Sequence, residues 1–216
     1  MHRENTPTTE PAGVTVGPLP AAFFARDTVR VARDLLGCLL ETRVNDARTA
    51  GRIVEVEAYV GPHDPAAHGY RDRRTPSNAA LFGPPGTCYV YLIYGAHWCF
   101  NAVTERDDYP AAVLIRALEP VSGLAVMRRR RRTADPRLLC SGPGRLCAAL
   151  GITRRLNGRL LGGATVRILE GAAGRKNIAA SPRIGVSRGA DWPLRFYLVD
   201  SPWLSRRERG TGKGER

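Results

Sequence analysis

The chain has 216 residues and a mass of 23.6 kDa, enough for one domain with a real core, and its 43% hydrophobic and 25% charged content is that of a globular protein. Against 20 acidic residues stand 33 Lys+Arg, giving a net charge of +13 and a pI near 10.4, a field that draws polyanions and nucleic acid first among them. Five scattered cysteines (Cys38, Cys88, Cys99, Cys140, Cys147) without a C-x-x-C pair argue against a zinc finger, an iron–sulfur cluster and a disulfide framework.

Taken in chain order, residues 1–20 are rich in Thr, Pro and Gly and read as a loose leader without the apolar core of a signal peptide. The segment 21–44, "AAFFARDTVRVARDLLGCLLETRV", predicts a helix and then a strand. Asp27 or Thr28 caps the helix, Val29, Ala32, Leu35 and Leu36 form its apolar stripe, and Gly37 stops it. "GRIVEVEAYVG" (51–61) alternates like a strand, with Val54, Val56, Ala58 and Val60 on one face and Ile53, Glu55, Glu57 and Tyr59 on the other. Residues 62–86 read as loop with a helical turn near Ser77–Phe82. "YVYLIYGAHWCFNAV" (89–103) follows as an aromatic hairpin: Tyr89, Tyr91 and Ile93 share a face, and Tyr94 falls at the turn before Gly95. "AAVLIRALEP" (111–120) is an apolar strand interrupted by Arg116, and "VSGLAVMRRRRRT" (121–133) a helix whose closing arginines suit its C-terminal end. "CSGPGRLCAALGI" (140–152) is a tight turn entering a helix, and short strands and loops run on to Ser205, ahead of a basic tail at 206–216. Strands and helices intersperse without regular βαβ units, which points to a single α+β domain over 21–205. No stretch approaches the length of a membrane span, so a cytoplasmic protein is expected.

Chemistry is concentrated at few positions. Glu55 and Glu57 lie about 7 Å apart along one strand face, either as a solvated outer face or as a working pair. Arg116, among Ala, Val, Leu and Ile, needs a partner, because an unpaired charge in an apolar strand costs several kcal/mol. A carboxylate beside such an arginine stays ionised and can take a proton from water, while a second carboxylate nearby pushes the other way. His68 is compatible with a structural or a pocket role, and Asn101 with reading a ligand edge or forming a turn. "SGPGRL" has the character of a helix start that meets a phosphate, and equally of an ordinary one. No Ser-His-Asp order, Walker loop or dinucleotide fingerprint stands out, and no metal or organic cofactor is expected.

Together, "ARDLLGCLL", "GRIVEVEAYVGPHDPAAH", "GTCYVYLIYGAHWCFN", "VLIRALEP", "CSGPGRLCAALGI" and "RIGVSRGADWPLRFYLVDSPWLS" resemble the alkyladenine (3-methyladenine, methylpurine) DNA glycosylase family, over about Phe23 to Ser205. The resemblance implies a curved, mostly antiparallel sheet with surrounding helices and a protruding hairpin. It implies an enzyme that flips alkylated or deaminated purines out of duplex DNA and hydrolyses the N-glycosidic bond. Glu57 matches the general base, with Arg116 and the backbone carbonyl of Ile184 orienting the water. Tyr59 and Tyr91 match the aromatics that sandwich the base, His68 the pocket histidine, Asn101 the residue that crowds the guanine amino group, and Tyr94 the intercalating residue. Tyr89, Gly95, His97, Ser141, Gly142 and Arg145 fall where the DNA backbone is held. Ala96 and His97 depart from the bulkier residues some relatives carry after the wedge.

The only lysines are Lys176 and Lys213, neither in a matching motif, so a monofunctional enzyme without lyase activity is expected. Its partner is double-stranded DNA with a damaged purine, bound by a monomer associated with the nucleoid. Two other readings stand beside it: a non-catalytic binder of distorted duplex, and a hydrolase of free nucleosides. The run Arg128–Arg132 reads as a solvated helix end, touching phosphate if it touches DNA at all.

Overall fold

A computed structural model of the protein describes residues 17–171 and 177–205. Most of the leader, the basic tail and both lysines lie outside the described residues. The elements run α1 (Ala21–Phe24), α2 (Thr28–Leu35), β1 (Leu39–Val44), β2 (Ala47–Tyr59), β3 (Cys88–Ile93), β4 (His97–Thr104) and β5 (Ala111–Ser122). After them come α3 (Leu124–Arg131), α4 (Pro143–Leu150), β6 (Val166–Leu169), β7 (Ile178–Ser181) and β8 (Arg195–Leu198). The loop after β2 holds short 3-10 turns at Tyr70–Asp72 and Ala79–Phe82, the second on the expected segment.

All strand pairs are antiparallel, in the order β3-β4-β5-β2-β1-β6, and the sheet is curled. β8 takes over the second edge of β2 at Glu55–Glu57, and β7 pairs with β8. The fold is thus the α+β single domain with a curved antiparallel sheet that the sequence implied.

Period-two alternation divides the sheet into two faces with different contents. Val56 and Ala58 of β2, Val90 of β3, Phe100 and Ala102 of β4, and Val113 and Ile115 of β5 point into one large apolar core, which the helices cover. α2 contributes Val31, Ala32 and Leu35, α3 Met127, and α4 Leu146, Cys147, Ala149 and Leu150. The opposite face carries Glu57 and Tyr59, Tyr89 and Tyr91, Asn101, and Leu114 and Arg116. That polar and aromatic face floors the site described below.

Local chemistry sets the helix boundaries. Asp27 is the N-cap of α2, its carboxylate accepting from the Arg30 amide at 2.9 Å. Thr28 is instead tied to Glu105, donating its amide at 2.7 Å and its hydroxyl at 2.8 Å. The buried stripe therefore runs through Thr28, Val31, Ala32 and Leu35, and the expected Val29 is only half-buried. Leu19, grouped with the leader by sequence, is anchored, its amide donating to Ile168 O at 2.8 Å. The arginine run divides: Arg130 turns inward and donates to Ala149 O at 3.1 Å and Val44 O at 3.2 Å, whereas Arg128, Arg129 and Arg132 are exposed. No helix among the described residues is long and apolar enough to cross a membrane.

Candidate active site

The site begins with an irregularity in the β2–β5 ladder. Register shifts flank Glu55, and between Ala112 and Leu118 only Arg116 lacks a direct partner on β2. Such bulges re-aim side chains beside functional sites. Here the guanidinium reaches along β2 and meets both glutamates, Nε on Glu55 at 3.1 Å and Nη1 on Glu57 at 3.1 Å. Both carboxylates are fully buried, which sets aside the solvated-face reading of this strand. Burial opposes the Arg116 charge, but Glu57 and Glu55 outweigh it and raise the pKa above the usual arginine value.

Glu57 accepts three hydrogen bonds. Arg116 and the Tyr59 hydroxyl (3.0 Å) share one oxygen, and the Ile184 amide donates to the other at 2.7 Å. A carboxylate has about four acceptor directions, so one remains. The sequence reading placed the Ile184 carbonyl near the water; the contact Ile184 makes with Glu57 is through its N–H. Burial, then the charge of Glu57, raise the Tyr59 pKa and keep the phenol protonated as a donor.

A second buried ion pair stands behind this wall. Arg183 holds Asp64 with both terminal nitrogens, at 2.8 Å for Nη2, and donates to Ala58 O at 3.0 Å. Its guanidinium lies 4.7 Å from the Tyr59 ring centre. Arg183, which immediately precedes Ile184, is therefore fixed both to the loop before Tyr70 and to the backbone of β2. Neither Asp64 nor Arg183 was singled out by sequence.

In front of Glu57 opens a cavity of about 480 Å³. Tyr59, His68, Tyr89, Tyr91, Cys99, Asn101, Leu114, Arg116 and Ile184 are among its lining residues, with Ile93 and Tyr94 at the hairpin end. Glu57 is screened from it by the groups it binds. The His68 and Tyr91 rings stand 4.5 Å apart, edge to face, and His68 Nδ1 shares a 2.7 Å hydrogen bond with the Tyr89 hydroxyl. Burial lowers the His68 pKa and favours the neutral ring. Burial likewise raises the pKa of the Tyr91 phenol and lifts the Cys99 thiol to about 11.

Most of the sequence-derived site residues converge on this cavity, and one needs correction. Tyr89, expected on the DNA backbone, is 3% exposed and forms pocket wall, as its shared face with Tyr91 required. Of the two readings open for Asn101, the turn is set aside: it lies within β4 and lines the cavity, its amide nitrogen donating to Tyr89 O at 3.0 Å. Tyr94 stands at the hairpin tip, 90% exposed and in the left-handed region at φ 51°. Gly95 and His97 are exposed beside it. Ser141, Gly142 and Arg145 gather at the start of α4, where Arg145 donates to Ser141 Oγ at 3.0 Å.

Two grooves flank the hairpin. One carries Arg130, Arg131, Arg145 and Arg155, the other Arg73, Arg154 and Arg188, and no Asp or Glu lines either.

A family model described as methylpurine-DNA glycosylase matches residues 22–202. Three relatives share the name "Putative 3-methyladenine DNA glycosylase". The protein of Methanoculleus marisnigri is 53% identical over 193 residues, 88% of this chain and 99% of its own length. That of Rhodopseudomonas palustris strain BisB18 is 49% identical over 91% of this chain and 95% of its own. That of Carboxydothermus hydrogenoformans is 44% identical over 88% and 99%.

Proposed function

The chain belongs to the methylpurine-DNA glycosylase family, and from that premise we propose that it excises alkylated purines, 3-methyladenine among them, from duplex DNA. The lesion is out of reach inside a duplex and is rotated out of the stack, at a cost of a few kcal/mol. Tyr94, exposed at the tip, enters the duplex and restacks the neighbours of the extruded nucleotide. The arginine-lined grooves on either side receive the phosphates.

In the cavity the purine lies between Tyr59 and Tyr91, with His68 at its edge. Stacking of this kind is worth about 1–3 kcal/mol per base. Alkylation leaves the purine positively charged, which suits aromatic faces and a neutral imidazole. Asn101, tied to the strand backbone by its amide nitrogen, narrows the space beside the base and selects against a guanine amino group.

The reaction breaks the bond between C1′ and the purine nitrogen. The bonding pair leaves with the base, which departs neutral if it was cationic, and the sugar passes through an oxocarbenium-like state. Water held at the remaining acceptor direction of Glu57 attacks C1′ and gives a proton to the carboxylate, leaving an abasic site. Arg116 pairs with Glu57, and the Ile184 amide and Tyr59 hydroxyl aim it. Both lysines lie outside these motifs, so no Schiff base forms and the backbone stays intact.

The observation that carries this reading is a fully buried glutamate that faces a base-sized aromatic cavity through its own hydrogen-bond partners. It is tested with duplexes bearing a single 3-methyladenine analogue, hypoxanthine or ethenoadenine. Glu57→Gln is expected to lower base release by about 10²–10⁴-fold while still binding the lesion. Wild-type release by that variant, or strand nicking trapped by borohydride in the native enzyme, would sink the respective claim.

A further inference from the structure

The two glutamates of β2 are not equivalent. Glu55 accepts from Arg116 Nε at 3.1 Å, Arg195 Nε at 2.8 Å, the Ser205 amide at 2.6 Å and the Ser205 hydroxyl at 2.7 Å. Three of these donors fall on Oε1 and the Ser205 amide on Oε2, so Glu55 holds two guanidiniums where Glu57 holds one. Its partners Arg195 and Ser205 lie off the cavity, whereas Tyr59 and Ile184, which bind Glu57, line it. What Glu55 can do is fix a guanidinium.

We propose that Glu55 is a positioning residue for the glycosidic reaction: with Arg195 and Ser205 it locks Arg116 in the orientation that aims one terminal nitrogen at Glu57. This rests on Glu57 being the base. Arg116 is a planar fork, so binding Nε fixes where Nη1 and Nη2 point. Nη1 then reaches Glu57, and Nη2 lies 3.5 Å from Ser205 Oγ. Arg195, 1% exposed, holds Glu55 from the other side and is itself tied to Ser181 Oγ at 2.9 Å. Ser205 brings the chain beyond β8 back onto β2, so the lock joins segments 150 positions apart.

Two carboxylates, Glu55 and Glu57, and two guanidiniums, Arg116 and Arg195, meet here. Neutralising Glu55 removes the carboxylate that holds Arg116 by its Nε. Arg116 is then free to pair with Glu57 more fully and cover its open acceptor direction. The other groups around Glu57 stay in place: Tyr59 on β2, Arg183 before β8, Cys99 on β4 and Tyr91 on β3. The net change at Glu57 is one negative neighbour fewer, which favours its ionised form and makes it a weaker base.

The test is single-turnover base release from a lesion duplex, measured from about pH 4 to 8 beside duplex affinity and thermal melts. Glu55→Gln is expected to slow release on the order of 10²-fold, the penalty of a misplaced reacting group, and to move the acid limb of the profile to lower pH. Glu55→Asp keeps the charge and should restore the position of that limb but not the full rate. Ser205→Ala, which leaves all four charges in place, should slow release by less than about tenfold without changing duplex affinity. A native rate and an unmoved acid limb in folded Glu55→Gln would overturn the proposal. Should that variant not fold, a native rate in Ser205→Ala overturns it instead. Glu57→Gln is run alongside: if it is active, the base assignment fails; if it is inactive and Glu55→Gln is native, only the lock fails.

Discussion

The arginines of this protein occupy two opposite environments. Arg116, Arg183 and Arg195 are buried, and each meets at least one carboxylate and one further oxygen at hydrogen-bond distance. Arg128, Arg129 and Arg132 stand exposed at the end of α3, and the exposed Arg73, Arg145, Arg154, Arg155 and Arg188 line the hairpin grooves with no acidic neighbour in the lining. The same side chain is in one place a geometric fixture and in the other a source of long-range field. Removing a fixture should be costly and local, and removing a field charge cheap and visible mainly in its salt dependence.

The largest effect is expected where a buried pair is broken. Asp64→Ala leaves Arg183 buried without its carboxylate, a loss of about 3–5 kcal/mol to be read from urea denaturation. Because Arg183 also lies on Tyr59 and precedes Ile184, the surviving folded fraction should release base slowly too. A loss under about 1 kcal/mol would mean the pair is no fixture and would blur the contrast.

Next comes Tyr94→Ala. An exposed side chain contributes little to the fold, so the melt should stay unchanged. Lesion affinity should fall by the worth of one stacked ring, about 1–3 kcal/mol or roughly 5–150-fold in Kd. Equal losses in stability and affinity would instead show that the hairpin tip is part of the folded scaffold.

How much of this the sequence could disclose follows from what periodicity measures. Alternation assigns faces, so Glu57 and Tyr59 were legible on one side of their strand and Tyr91 beside Tyr89. It also put Tyr89 on the face of Tyr91, which the structure shows to be the pocket side. Arg116 was legible because a lone charge in an apolar strand has to be compensated. Periodicity does not say which strand lies alongside, and Asp64–Arg183, Glu55–Arg195 and Glu55–Ser205 join positions 119, 140 and 150 apart. Arg195 could have been found by the logic used for Arg116, since it opens the apolar run "RFYL". Asp64 sits among Pro and Gly, where a turn residue is the default reading, and nothing local marks it.

A smaller effect is expected at His68. Burial lowers its pKa, so the folded site disfavours the proton that the unfolded chain accepts near the usual imidazole value of about 6.5. Its contribution to stability is therefore whole above about pH 6.5 and is lost as pH falls toward the depressed value. Below that window the ring is cationic and repels a cationic purine. Affinity for a methylated purine should weaken with acidification more than affinity for a neutral lesion, and His68→Gln should remove the difference. Parallel pH curves for the two lesions in the native protein would count against His68 facing the base.

The smallest effects divide the arginine run itself. Arg130 donates to Ala149 O and Val44 O and so ties the end of α4 to the end of β1. Arg130→Ala should cost about 1–2 kcal/mol in stability, with the salt dependence of duplex binding little altered. Arg129→Ala, at the adjacent position but exposed to solvent, should change stability by no more than about 0.5 kcal/mol. If a phosphate lies against it, the slope of log affinity on log salt should fall by about 0.9, uniformly across sequences because phosphate contacts carry no sequence information. An unchanged slope would assign Arg129 to plain solvation and leave the groove arginines as the duplex contacts. The split between neighbours in one run of five is what separates fixture from field, since composition and position along the chain are the same for both.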